Sequence, residues 1–341
     1  MEAHKFTIVG WGLAGATLAW QLYFKKEPFK VFDSNNNTCT NAAAGIINPI
    51  VFKRLTMSWR AQELLPVAKQ FFEKVEDFLE DKILDEKGIN KIFTSIEEQN
   101  NWSSKKNLPL FKNYLGPVEN IENTAVINEF GVGKVKTIGN LNTKKFLSVS
   151  KIFFLQQQVE FIDSPFDYSS NSVDNEKIIF CEGAEIHQNP FFNYLPLKPT
   201  HGEVIIIKAP QIDFKDILNK NMFIMPLGDN LYKVGATYNW EKKEPTTTEK
   251  GKQDLQDKLN EILITPYEVV AHLAGIRPTV SDRRPLLGVH PQHPELFVFN
   301  GLGTKGVMLA PFFTQQLVDF ILQGTPLDNE VNIIRYEKYL N

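Results

Sequence analysis

The chain opens on a short, mostly apolar run, Phe6 to Val9, that predicts a buried strand. Ala16, Ala19 and Leu22 then recur at helical spacing, and Phe29 to Phe32 supply a second strand. Strand, helix and strand in that order predict a parallel crossover unit. Between residues 57 and 80, Leu64, Leu65, Ala68, Phe71, Phe72, Val75, Phe78 and Leu79 form one apolar stripe, which predicts a long amphipathic helix packed on a core. Residues 85 to 135 change character, with short apolar runs between Asn, Ser and Gly turns, as in a β-rich region. A helix is expected over 141 to 155, and Lys177 to Phe180 reads as a buried strand that ends on glycine at Gly183. Strand-like runs return at Gly202 to Ile207 and Leu231 to Thr237, followed by a polar surface helix over 246 to 264. The carboxyl end reads as a strand, Leu296 to Asn300, a turn over Gly301 to Gly306, and a helix over 307 to 323 bent or begun near Pro311.

This order predicts an α/β protein whose nucleotide-binding domain is discontinuous. Residues 1-84, 136-190 and 268-341 are expected to form it, and residues 85-135 and 191-267 a second, β-rich domain. A chain of 341 residues with 43% hydrophobic content can bury two such cores. Its net charge of -3 gives no general attraction to nucleic acid or to acidic membranes. Cys39 and Cys181 lack metal-ligand spacing, which points to a reducing, cytoplasmic setting. The apolar start is interrupted by glycines, so neither a signal peptide nor a membrane span is expected. His290-Pro-Gln-His293 fits a proline-rich surface turn better than a metal site, because no acidic or cysteine partner stands beside it in sequence.

Chemistry enters at the first turn, Gly10-Trp-Gly12-Leu13-Ala14-Gly15. Gly10 permits the sharp strand-to-helix turn, Gly12 lets a pyrophosphate approach the backbone, and Gly15 lets helix and strand pack closely. Helix-start amides and the helix dipole favour phosphate there. Asp33 follows Gly15 by 18 residues and closes the second strand, where a carboxylate reaches ribose hydroxyls. A structural crossover that binds nothing would use the same residues. The small-residue segment Ala42-Ala43-Ala44-Gly45 lets backbone lie flat against a ligand. A second glycine turn, Gly301-Leu-Gly303-Thr304-Lys305-Gly306, leads into another helix, and a nicotinamide site needs no such turn. A flavin would use it, because reduction at N5 sends negative charge to the N1 and C2 carbonyl edge, which helix-start amides and Lys305 would stabilise. An ordinary connection with a solvated lysine remains the alternative at this stage.

These segments, with Ile179 to Gly183, Gly235-Ala-Thr237, Ala274-Gly-Ile-Arg277-Pro278, Asp282, Pro285 and Gly288, resemble the glycine oxidase and D-amino-acid oxidase family of FAD-dependent oxidoreductases. The resemblance implies a Rossmann-like FAD-binding domain and an α+β substrate domain built on an antiparallel sheet. It implies that Gly10, Gly12, Leu13, Ala14, Gly15 and Asp33 hold the ADP half. Ala43, Ala44, Gly45 and Ile47 would line the path from pyrophosphate to flavin, and Gly303, Thr304, Lys305 and Gly306 the pyrimidine edge. Gly183 belongs to the same cofactor set, and Phe166 is expected to offer adenine a backbone contact. No cysteine stands in the 300 to 306 turn, so non-covalent flavin is expected. Arg277 would pair with a substrate carboxylate, a task suited to its planar fork.

The implied activity is dehydrogenation of a small amino acid or other carboxylate-bearing amine to an imine, by hydride transfer to flavin N5, with oxygen or another acceptor reoxidising the flavin. Departures occur at Phe223-Ile-Met-Pro226-Leu227, where relatives often carry a tyrosine before a Pro-Arg pair, and at His201-Gly202-Glu203, where they carry an Arg-Gly-Gln-like turn. Both point away from simple glycine or D-alanine. Phe223, Tyr238 and His201 are the residues expected to face the substrate, with Trp240 as a further candidate wall. The closing motif is also similar to the oxidase domain of the bifunctional enzyme of tRNA wobble-uridine methylaminomethyl biosynthesis, which acts on a glycine-like group attached to a nucleoside. For that partner Lys53, Arg54 and Arg60 are the basic residues to consider. A flavin-binding electron-relay protein without amine oxidation is the alternative from another class.

Overall fold

A computed structural model of the chain describes residues 5–35, 38–169 and 176–340. Two large sheets organise it. The first has six strands in the spatial order Glu160–Ile162, Phe29–Phe32, Phe6–Val9, Lys177–Phe180, His293–Asn300 and Leu286–His290. Its first five strands run parallel, and Leu286–His290 closes one edge antiparallel. Parallel strands covered on both sides read as unbroken apolar runs rather than alternating ones. Phe6, Ile8, Ile179, Phe297 and Phe299 face one core with the helices Leu13–Phe24, Ala61–Leu79, Thr143–Gln156 and Gly306–Gln323. Val9, Ile178, Phe180, Leu296 and Val298 face the other core, against Ile186, Phe192 and Leu195.

The second sheet has eight strands in the order Glu268–Arg277, Thr200–Lys208, Leu231–Gly235, Phe223–Gly228, Ile217–Asn219, Ile89–Ile92, Val132–Val135 and Leu115–Glu119. All its pairings are antiparallel except Ile217–Asn219 with Ile89–Ile92. Strand alternation gives it two unlike faces. Ile205, Ile207, Ile224, Tyr232 and Val234 pack on Leu255 and Leu259 of the helix Glu249–Asn260. Val204, Gly235 and Phe223, in cross-strand register, look the other way into a cleft between the sheets.

Segment by segment, the expected long helix starts at Ala61, the polar helix spans Glu249–Asn260, and the last helix begins at Gly306 and carries Pro311 inside it. Residues 268 to 277, grouped by the sequence with the nucleotide half, hydrogen-bond instead into the eight-stranded sheet. Antiparallel register with Thr200–Lys208 holds them there, and the glycine at 275 admits the helix Thr38–Ala42 against the strand. A Cβ at Gly275 would stand 2.8 Å from the Cys39 Cα. Among the described residues, no helix is long and apolar enough to cross a membrane. His290 and His293 lie on the hairpin that joins two strands of the first sheet, their rings packed with Phe191, and no group of three or more potential metal ligands is assembled among the described residues.

Candidate FAD and substrate cleft

One cleft of about 1310 Å³ runs between the sheets. At one end Gly10, Gly12, Leu13, Ala14, Asp33 and Phe166 line it, together with Glu182 and Gly183. Gly10 has φ +102°, and a Cβ there would stand 2.7 Å from the Cys181 carbonyl oxygen. A Cβ on Gly15 would stand 1.9 Å from the Gly10 carbonyl oxygen, so Gly15 serves helix packing and lies outside the cleft wall. The helix Leu13–Phe24 points its start, with Gly12 as N-cap, into the space. Such a terminus favours an anion because its first amides have no intrahelical acceptor. Asp33 is buried at the end of the second strand and accepts from the Asn35 N–H at 3.2 Å. The Phe166 ring packs edge-on against Phe32 and Phe180.

The middle of the cleft is lined by Ala43, Ala44 and Gly45 on one side and by Gly303, Thr304, Lys305 and Gly306 on the other. The two chain ends meet there, since a Cβ on Gly306 would stand 2.9 Å from Leu13 Cδ2. Asn300 fixes the carboxyl-terminal turn. Its Nδ2 donates to the Gly183 carbonyl at 2.9 Å, and its Oδ1 accepts from the Gly301 N–H at 2.7 Å. Lys305 donates from Nζ to the Asn48 carbonyl at 2.9 Å and to Ser58 Oγ at 2.7 Å, and burial pushes its ammonium down to about 8. Lys305 is therefore half-buried and tied to two protein acceptors rather than a freely solvated surface lysine.

At the far end stand Phe223, Gly235, Tyr238, Gly202 and Arg277. Arg277 Nη1 donates to the carbonyls of His201 at 3.4 Å and Thr237 at 3.3 Å, and the guanidinium carbon lies 4.5 Å from the Tyr238 ring centroid. Gly202 makes room for it, because a Cβ there would stand 2.1 Å from Nη1. Among the described residues no carboxylate comes within salt-bridge distance of Arg277, Lys305 or Lys233. Two weak carbonyl contacts leave most of a guanidinium's five donors for a ligand.

Besides Gly15, and Trp240 which lines no part of the cleft, the expected site residues Ile47 and His201 stand elsewhere. Ile47 is fully buried in the helical core and lines no part of the cleft, because its N–H bonds the Gly139 carbonyl and turns the side chain inward. His201 is also fully buried. It lies on the face of its strand opposite Gly202, and its Nε2 meets the Thr246 carbonyl at 3.0 Å, so it touches neither flavin nor substrate space.

Several groups in or beside the cleft escaped the sequence reading. Lys233 donates from Nζ to the Ala43 carbonyl at 2.9 Å, with burial and then Lys144 pushing its ammonium down to about 8. The period-two reading that places Gly235 toward the cleft also places Lys233 there, so a signal existed. Glu182 bonds the Tyr168 hydroxyl and the Asn189 amide, and burial pushes its carboxyl up to about 6 against those two bonds. Cys39 lines the wall, its thiol raised above its ordinary value by burial while Arg277 pulls the other way.

The cleft's shape suits an elongated dinucleotide whose phosphates meet helix-start amides and whose ring system reaches the second sheet. Comparison with known proteins agrees. A family described as FAD dependent oxidoreductase (DAO) matches residues 5–319. The glycine oxidase of Pseudomonas aeruginosa is 26% identical over 165 residues, 47% of this chain and 45% of the relative. The tRNA 5-methylaminomethyl-2-thiouridine biosynthesis bifunctional protein of Marinobacter nauticus is 30% identical over 142 residues, 38% of this chain and 22% of the relative. Each alignment thus spans less than half of the curated relative. The glycine oxidase structure from Geobacillus kaustophilus superposes with a TM-score of 0.79 at 20% identity, covering 97% of each chain. That from Bacillus cereus gives 0.79 at 17% identity, covering 95% of this chain and 96% of the other. With a family match over nearly its whole length, the chain belongs to the DAO family of FAD-dependent oxidoreductases.

Proposed function

We propose that this protein dehydrogenates a small amine carrying a carboxylate, with Arg277 binding that carboxylate. The observation that carries this reading is a guanidinium in the cleft wall with no carboxylate partner among the described residues and with a floor of glycine beneath it. Enclosing an unpaired charge is costly, so the site is balanced when an anionic substrate arrives. Bound FAD supplies a two-electron acceptor at the reacting carbon. The protein's share is orientation: Arg277 fixes one end of the substrate, Phe223 and Gly235 shape the face toward the second sheet, and Tyr238 covers the guanidinium. A neutral amine needs no general base, and this reading assigns none. Gly10, Gly12, Leu13, Ala14, Asp33 and Phe166 would hold the adenosine and pyrophosphate end, and Ala43 to Gly45 with Gly303 to Gly306 the isoalloxazine end. On this reading the parallel-sheet half is the FAD domain and the eight-stranded half the substrate domain, with the changeover after Arg277.

The test is anaerobic mixing of the yellow holoprotein with a panel of glycine, sarcosine, D-alanine, iminodiacetate and their decarboxylated counterparts. Bleaching by carboxylated amines alone is expected. If dithionite bleaches the flavin and no amine does, the amine-oxidoreductase reading fails and a flavin-binding relay takes its place.

A second reading places the glycine-like group on a nucleoside. Two rings near the cleft mouth favour it, since Tyr238 is 61% and Trp240 53% exposed, and bases stack on such surfaces. Bleaching by a carboxymethylaminomethyl nucleoside but not by free sarcosine would decide for it.

A further inference from the structure

Strand Thr200–Lys208 presents Gly202 and Val204 to the cleft, so His201 and Glu203 point the opposite way, toward the helix Glu249–Asn260. Both are buried, yet both reach the loop that runs from Thr237 to Thr248 along the cleft mouth. At the loop's start, the Asn239 N–H donates to the His201 carbonyl at 3.0 Å and the His201 N–H to the Asn239 carbonyl at 2.9 Å. The Glu203 N–H donates to Thr237 Oγ1 at 2.9 Å, and the Thr237 N–H to the Glu203 carbonyl at 3.1 Å. At the loop's end, His201 Nε2 meets the Thr246 carbonyl at 3.0 Å; a carbonyl can only accept, so Nε2 carries the proton. Glu203 takes the Thr248 N–H at 2.8 Å on Oε2 and the Thr248 hydroxyl at 2.7 Å on Oε1. Thr248 in turn caps the helix by accepting the Gly251 N–H at 2.9 Å. From the neighbouring strand, His272 Nε2 stands 2.7 Å from Glu203 Oε2.

Between these anchors lie Tyr238, Lys243, Glu244 and Pro245, which line the cleft. The same three residues, 201 to 203, thus serve two purposes. Their backbone accepts from Arg277, supplies the glycine floor beneath it and holds the loop's start, while the side chains of His201 and Glu203 fasten the end of the loop whose Tyr238 ring covers Arg277.

We propose that His201 and Glu203 are positioning residues that clamp the 238–247 loop and so fix the Tyr238–Arg277 pair, setting how tightly the site holds a carboxylate. This rests on the reading of Arg277 as the carboxylate partner. Loops open locally at low free-energy cost unless buried groups hold them. A buried carboxylate with several donors is such a group, since hydrogen bonds to a charge exceed neutral ones in strength.

The experiment uses FAD-loaded protein and two independent readouts. Acetate binding is followed by perturbation of the flavin spectrum, and loop anchorage by trypsin cleavage after Lys242 and Lys243. Glu203→Ala is expected to weaken acetate by about threefold and to speed cleavage about fivefold, with FAD content unchanged. Glu203→Gln keeps an oxygen for the Thr248 N–H and should recover part of both losses. Thr248→Val, which spares the buried strand, should show the same directions at smaller size and serves if Glu203→Ala does not fold. With an amine that bleaches the flavin, the loss in Glu203→Ala should fall on substrate affinity more than on the limiting rate of reduction. Cleavage and acetate affinity both unchanged in Glu203→Ala and in Thr248→Val would overturn the clamp. Acetate affinity unchanged in Arg277→Ala would overturn the carboxylate reading instead, and trypsin would still decide whether the loop is anchored.

Discussion

The two halves of the cleft are built by opposite means. On the parallel-sheet side, backbone does the shaping: glycines at 10, 15 and 45 sit so close to neighbouring carbonyls that a single Cβ would collide. On the eight-stranded side, side chains do it, with Arg277, Tyr238 and Phe223 projecting from strands or a loop held from behind. A site made of backbone tolerates no substitution and serves one ligand; a site made of side chains can be retuned. The comparison explains why the parallel-sheet end follows a motif while the eight-stranded end departs from it.

The largest effect expected from breaking this contrast is at Gly15. Gly15→Ala drives a methyl into the Gly10 carbonyl and should cost about 3 kcal/mol or more, giving colourless or unfolded protein by the ratio of flavin to protein absorbance and by thermal melting. A stable yellow Gly15→Ala protein would show that the backbone side is softer than described. Next comes Arg277→Ala, which should keep the flavin and weaken carboxylated amines by about 2 to 5 kcal/mol, read as the concentration for anaerobic half-reduction. Arg277→Lys should recover little, because a point charge lacks the fork. Gly202→Ala sharpens the comparison, since a backbone-type restriction operates there on the side-chain half. Its methyl would push the guanidinium aside and lower carboxylate affinity by about tenfold with flavin retained.

Lys305 gives a pH-dependent test. Burial lowers its folded value from 10.5 to about 8, so the ammonium is complete below that pH and is lost as pH rises through it. The unfolded chain holds the proton longer, and stability therefore gains from this group between about 8 and 10.5. Lys305→Met should remove one step near pH 8 from the flavin reduction potential, measured by dye-coupled titration, and leave any step from Lys233 in place. An identical potential profile in the variant would make Lys305 a structural lysine. Smallest is Tyr238→Ala. A ring so exposed contributes roughly 0.5 to 1 kcal/mol through its cation–π contact, so half-reduction should shift by only a few fold.

Much of the parallel-sheet end was legible because its determinants are local. Gly10, Gly12 and Gly15 lie within one turn, Asp33 ends the next strand, and backbone needs of that kind are written directly in residue type. The eight-stranded end was legible only as a list. Arg277 was found because a conspicuous motif carries it, whereas His201 was placed against substrate and proves to face the other side of its strand. Phase decides that question: a shift of one residue along a strand exchanges its faces, and the sequence from 200 to 208 mixes polar and apolar residues on both.

By itself the sequence determined the crossover, its glycines, the acid that ends the second strand and the second glycine turn, since each depends on neighbours a few residues away. Only the tertiary structure decided that the strand bearing Arg277 belongs to the eight-stranded sheet, that Ile47 turns into the core, and that Glu203 grips Thr248 across 45 residues. Those outcomes depend on sheet register and on which buried donors meet which acceptors, quantities set by contacts between distant segments that no local pattern encodes.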